Sequence, residues 1–191
     1  MQNRINELID AKIQLLNTLK GSEYMETVEN AADCMVNCIR NGNKIILAGN
    51  GGSAADAQHF AGEIVGRFMM ERKSIPALSL CVDPSVMTCI GNDYGYDMVF
   101  ARQMEGLGQA GDVLVAISTS GNSENIIKAI ETAKKKQIKV VGFLGKGGGK
   151  IADMCDYALI VPSDDTPRIQ EIHTFTVHLM CEYIEKKIFE D

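Results

Sequence analysis

From residue 44 onward the chain alternates between two periods, and that alternation narrows the folds open to it. Short apolar runs at 44–48, 77–82, 113–117, 139–144 and 157–161 are rich in Val, Ile and Leu and lack polar alternation. Strands buried on both faces read this way. Between them, stretches at about 53–68, 84–106, 123–136 and 147–155 carry helical spacing, the second broken near residues 91–95. A final helix is predicted over 169–189. The alternation predicts an α/β three-layer sandwich, with a five-stranded, Rossmann-like parallel sheet covered by helices on both faces.

Two helices precede this pattern. Ile5, Leu8, Ile9, Ile13, Leu15, Leu16 and Leu19 recur at helical spacing, and Gly21-Ser22 ends the run. Met25, Val28, Ala31, Ala32, Met35, Val36 and Ile39 form a second stripe that stops at Asn41-Gly42-Asn43. Both stripes must bury a face somewhere. Residues 1–41 are therefore predicted to form an N-terminal arm that packs on a partner subunit. With no linker and no low-complexity tract, the 191 residues read as one domain.

A formal net charge of −6 argues against nucleic acid as the main ligand. It leaves room for an anionic substrate, because a local pocket can oppose the global charge. No apolar run approaches the roughly 18 residues of a membrane helix. The charged amphipathic N-terminus is unlike a signal peptide. The six cysteines form no CxxC pair and read as thiols of a reducing, cytoplasmic compartment.

In an open α/β sheet, ligands bind beyond the carboxyl ends of the strands. Two loops there stand out. Gly49-Asn50-Gly51-Gly52-Ser53 follows the first strand; its glycines admit a ligand close to backbone, and Ser53 is a suitable N-cap. Ser118-Thr119-Ser120-Gly121-Asn122-Ser123 brings four hydroxyls to a helix N-terminus, which suits phosphate. Each loop alone also reads as a capped βα turn. Neither is a Walker A loop nor a GxGxxG fingerprint, so no nucleotide cofactor is expected. The stretch from Gly145 to Lys150 lacks hydroxyls and reads as a flexible turn.

His59 and Glu63 stand four apart on the helix after the first loop, with Asp56 placed to orient His59. Gln170, His173 and His178 fall on the last helix, Gln170 and His178 on one broad side. His59, Glu63, Gln170 and His178 form a donor set that suits zinc or a similar divalent ion. A satisfied polar side chain is the other reading of each. If a sugar phosphate is the ligand, a carboxylate and an imidazole flanking its carbonyl supply what an aldose–ketose isomerisation needs. One moves a proton between adjacent carbons through a cis-enediol, and the other moves protons between oxygens.

The segments GNGGSAADAQHFAGEIVGR at 49–67, GNDYG at 91–95, ISTSGNS at 117–123 and RIQEIH at 168–173 resemble the phosphoheptose isomerases of the sugar isomerase (SIS) domain family. The resemblance covers nearly the whole chain, with the motifs in order. It implies conversion of sedoheptulose 7-phosphate to D-glycero-D-manno-heptose 7-phosphate, the first step toward activated heptose. It implies a cytoplasmic homotetramer with active sites shared between subunits. By the same resemblance Glu63 is the base and His178 its partner acid/base. Ser118, Thr119, Ser120 and Ser123 hold the phosphate. Asn50, Gly51, Gly52, Ser53, Asn92, Asp93 and Gln170 contact the sugar, and His59, Glu63, Gln170 and His178 bind zinc. Pro167 departs from the family, in which Ala or Asp stands there. Similar SIS proteins act as regulators or sugar-phosphate sensors without turnover. A relative that binds the replication initiator lacks the matches to Glu63 and His178, both present here.

Overall fold

The computed structural model describes residues 1–190. The elements run α1 (Gln2–Leu19), α2 (Glu23–Arg40), β1 (Ile45–Gly49), α3 (Gly52–Val65), β2 (Ala77–Ser79), α4 (Pro84–Tyr94) and α5 (Val99–Leu107). They continue with β3 (Val113–Ser118), α6 (Glu124–Lys135), β4 (Lys139–Leu144), α7 (Gly149–Ala152), β5 (Tyr157–Ile160) and α8 (Thr166–Phe189). The strands pair in parallel in the order β2-β1-β3-β4-β5.

Every residue of β1 and β3 is buried, as expected for strands paired on both edges and covered on both faces. Successive side chains serve opposite layers. Ile45, Leu47, Val115 and Phe143 pack with α2, α3 and α8. Ile46, Ala48, Leu114 and Ala116 pack with α5, α6 and α7. The α/β three-layer sandwich is thus observed.

Three local features refine the expected elements. The stretch over 84–106 is broken as expected: it divides at Gly95, whose φ of +94° no helix accommodates. A Cβ there would also meet Asp97 Oδ1 at 2.7 Å. The edge strand β2 is only three residues long. Helix α8 begins at Thr166, and Pro167 sits in its first turn, where the missing N–H falls among groups with no intrahelical partner.

The two leading helices behave differently. Helix α2 contributes Val28, Ala31, Ala32 and Met35 to the layer it shares with α8. Tyr24 and Thr176 share a 2.8 Å hydrogen bond across that contact, and Tyr183 donates to Asp33 at 2.8 Å. Helix α1 buries only Leu19. Its Ile5, Ile9 and Ile13 remain 48%, 51% and 52% exposed. Within the residues 1–41 expected to form an arm, α2 packs on the core and α1 keeps an exposed apolar stripe.

Candidate active site

The chain leaves β1 for β2 on one side and enters β3 on the other, so the loops after β1 and β3 diverge and open a crevice at the switch point. The first loop turns at Gly51, with φ +57° and ψ −121°, and Gly51 itself caps α3. Its carbonyl accepts from Ala54 and Ala55. Ser53, expected as the N-cap, is instead buried inside the first turn, because the glycine turn starts the helix earlier.

In the second loop the hydroxyls of Ser118 and Ser123 are 3.1 Å apart, and those of Ser118 and Ser120 3.5 Å apart. Ser123 is the N-cap of α6, yet its side chain makes no capping bond. It turns to the other hydroxyls. Thr119 follows Ser118 and is half-buried. The glycine stretch expected as a flexible turn is a buttress for this loop. Ile151 N–H donates to Gly121 O at 3.0 Å, and Lys150 N–H to Asn122 Oδ1 at 3.1 Å. A Cβ on Gly121 would lie 1.9 Å from Gly148 O. Two backbones meet there with no room for a side chain.

His59, Glu63 and His178 come together from α3 and α8. His59 Nε2 lies 3.2 Å from Glu63 Oε1 and 3.4 Å from His178 Nε2, a residue 119 positions away. The two imidazoles meet edge to face with centroids 5.1 Å apart. The Phe68 ring stacks on His178, with centroids 5.5 Å apart and an interplanar angle of 27°.

Gln170 does not join this trio. Its amide lies over Gly52, where a Cβ would come within 2.1 Å of Nε2. Eight residues of helix separate Gln170 from His178 by about 12 Å. Asp56 accepts from Thr174 at 3.2 Å instead of from His59, and burial pushes its pKa up. Asn92 donates to Asp93 at 2.8 Å, both side chains being exposed. Asp93 faces a cavity of about 690 Å³ lined also by Cys89 and Arg102, not the histidines.

Two imidazole nitrogens and a carboxylate are fitting donors for a divalent ion. Separations of 3.2 and 3.4 Å match the roughly 3.3 Å edge of a tetrahedron with metal–ligand bonds of about 2.0–2.1 Å. Among the described residues, however, no group of three or more His, Cys, Asp or Glu side chains is arranged to hold a metal ion. Gln170, the fourth donor expected, rests over Gly52, apart from the other three.

Several residues around the site escaped the sequence reading. Glu185 is buried on α8 and accepts from the backbone N–H groups of Phe68, Met69 and Met70 and from Arg72 Nε at 2.7–3.1 Å. Burial pushes its carboxyl up, but these donors outweigh that and hold it below the usual range. Arg72 also donates to Glu63 O at 2.9 Å. One clue was visible: Glu185 falls on the line of Val177 and Cys181, where an uncompensated charge would be costly. Asn125 is buried in the first turn of α6 and gave no such clue.

A model of the SIS domain matches residues 9–145. The chain is 53% identical to the phosphoheptose isomerase of Sulfurimonas denitrificans, over 100% of this chain and 98% of that protein. It is 48% identical to that of Aneurinibacillus thermoaerophilus, over 100% and 97%. The solved phosphoheptose isomerase of Neisseria gonorrhoeae superposes with a TM-score of 0.91 at 44% identity, covering 97% of this chain and 98% of that one. Matching fold, full-length coverage and the paired helices that carry His59, Glu63 and His178 agree: the chain belongs to the phosphoheptose isomerases of the SIS domain family.

Proposed function

We propose that this chain interconverts sedoheptulose 7-phosphate and D-glycero-D-manno-heptose 7-phosphate, an early step toward activated heptose. The observation that carries the reading is the meeting of Glu63 and His178 around His59. Relatives named phosphoheptose isomerase support it. In the ketose-to-aldose direction, Glu63 takes a proton from C1 while His178 gives one to the C2 oxygen, forming a cis-enediol. Glu63 then returns its proton to C2, and His178 takes the proton of the C1 hydroxyl as that carbon becomes the carbonyl. The enzyme ends as it began. Ser118, Thr119, Ser120 and Ser123 hold the phosphate at the head of α6. Asn50, Gly51, Gly52, Ser53 and Gln170 face the sugar, with Asn92 and Asp93 closing from the α4 side.

His59, Glu63, Gln170 and His178 would hold a zinc ion once their side chains turn to a common point, and the ion would polarise the substrate carbonyl. Zinc-dependent thermal stabilisation, lost in His59→Ala, tests this apart from turnover. We also propose a homotetramer joined through α1. The half-exposed stripe of Ile5, Ile9 and Ile13 supports it. The unpaired thiols suit the cytoplasm.

The deciding experiment incubates sedoheptulose 7-phosphate with the wild type, Glu63→Gln and His178→Gln and measures the aldose. The wild type is expected to form it. Each variant should lose about 10²–10⁴-fold in kcat. A silent wild type, with and without added zinc, would overturn the reading.

A further inference from the structure

We propose that Asn125 and Tyr96 are positioning residues that hold the Asn50 amide with its oxygen engaged, so that Asn50 meets the sugar through an N–H alone. The proposal rests on the isomerase reading and deepens it. Asn50 lies in the loop after β1, and Asn125 lies 75 positions on, in the first turn of α6. Their side chains bond reciprocally: Asn50 Nδ2 donates to Asn125 Oδ1 at 2.9 Å, and Asn125 Nδ2 donates to Asn50 Oδ1 at 2.8 Å. The Tyr96 hydroxyl donates to the same Asn50 oxygen at 3.0 Å.

A carbonyl oxygen offers two lone pairs, and both are taken. One of the two Nδ2 hydrogens is also taken. The remaining N–H is the only free hydrogen-bonding group of the Asn50 amide. An amide held this way selects an acceptor. In an isomerisation, the fitting acceptor is the carbonyl or enediol oxygen, whose negative character grows in the transition state. Asn125 is only 3% exposed, so opening the pair would strand a buried amide, which resists rotation.

The clasp also sets a distance. Asn125 lies two residues after Ser123, whose hydroxyl meets Ser118. Tyr96 follows Gly95 in the break between α4 and α5. Three segments therefore converge on one oxygen: the glycine loop, the head of the hydroxyl-loop helix and the α4–α5 break. The phosphate cradle is tied to the wall that meets the reacting end of the sugar.

The discriminating variant is Asn125→Asp. Protonated, the introduced carboxyl can both donate and accept, as the amide does. Ionised, it offers acceptors only and repels the Asn50 oxygen. Relative to wild type, its kcat/KM is expected to lie within about threefold near pH 5 and to fall at least tenfold by about pH 8, the span over which a buried carboxyl titrates. Tyr96→Phe, at an exposed ring, should raise KM about 3–10-fold with little change in kcat or melting temperature. A merely structural role would give a ratio that stays flat with pH. That result, or an unchanged KM in Tyr96→Phe, overturns the proposal. If Asn125→Asp does not fold, Tyr96→Phe decides alone. A wild type that binds sedoheptulose 7-phosphate without turning it over sinks the isomerase reading instead. The same ratios are then read from Kd by calorimetry, so the two failures are distinct.

Discussion

His173 shows how much of a residue's role depends on depth. It shares α8 with His178, yet it is fully buried, with Nε2 3.1 Å from Leu144 O and Nδ1 without a partner. Burial pushes its pKa down to about 4. An unfolded chain titrates this group near 6.5. Between those values the unfolded chain takes up a proton that the folded one does not. Stability is therefore lost as pH falls from about 6.5 toward 4, and is unaffected above that range. The loss from this group approaches about 3 kcal/mol at most. Urea titrations across that window should show His173→Leu with a flatter acid slope than the wild type. In the sequence the three histidines are alike. His59 and His178 meet because their carriers, α3 and α8, pack against each other, which spacing along the chain does not report. Asn125 had no comparable signal, since one amide in a helix's first turn reads as ordinary cap chemistry.

At the scale of elements, one carboxylate gathers the start of the chain after α3. Glu185 gathers three successive N–H groups and pairs with Arg72, both side chains being 1% exposed. Removing one partner of a buried pair strands the other. Glu185→Ala is expected to cost about 3–5 kcal/mol. It should also speed proteolytic cleavage at 67–72, which mass spectrometry of the fragments would locate. Because Phe68 stacks on His178, kcat should fall in the same variant. Gly121→Ala tests the other loop. Its φ of +62° and the 1.9 Å approach to Gly148 O leave no place for a methyl group. The hydroxyl loop must shift, so KM for the phosphosugar should rise at least tenfold while the sheet's circular dichroism is kept. Strands and helices were legible because period reports burial directly. The buttress was not, because contact between two glycine backbones leaves no mark on composition. The start of α3 was misread for a similar reason: serine chemistry suggested a cap, but the dihedral at Gly51 decided it.

For the whole molecule, the leading helices teach the same lesson at larger scale. Both carry an apolar stripe, but α2 lies on the sheet's outer layer and α1 holds Ile5, Ile9 and Ile13 half in water. Periodicity says that a face must be covered and cannot say by which body. Ile9→Asp combined with Ile13→Asp is expected to shift the proposed tetramer to a smaller species in sedimentation, with each subunit still folded. The pairing of α2 with α8, and of α3 with α8, also governs how the protein reaches its working state. Tyr24 meets Thr176 across 152 positions, and His59 meets His178 across 119. Contacts of such sequence separation close late, after the entropy of a long loop has been overcome. Regained turnover should therefore lag regained helicity after dilution from denaturant. The part of that delay that does not depend on protein concentration, and so is not assembly of the proposed tetramer, reads how long α8 takes to find its seat.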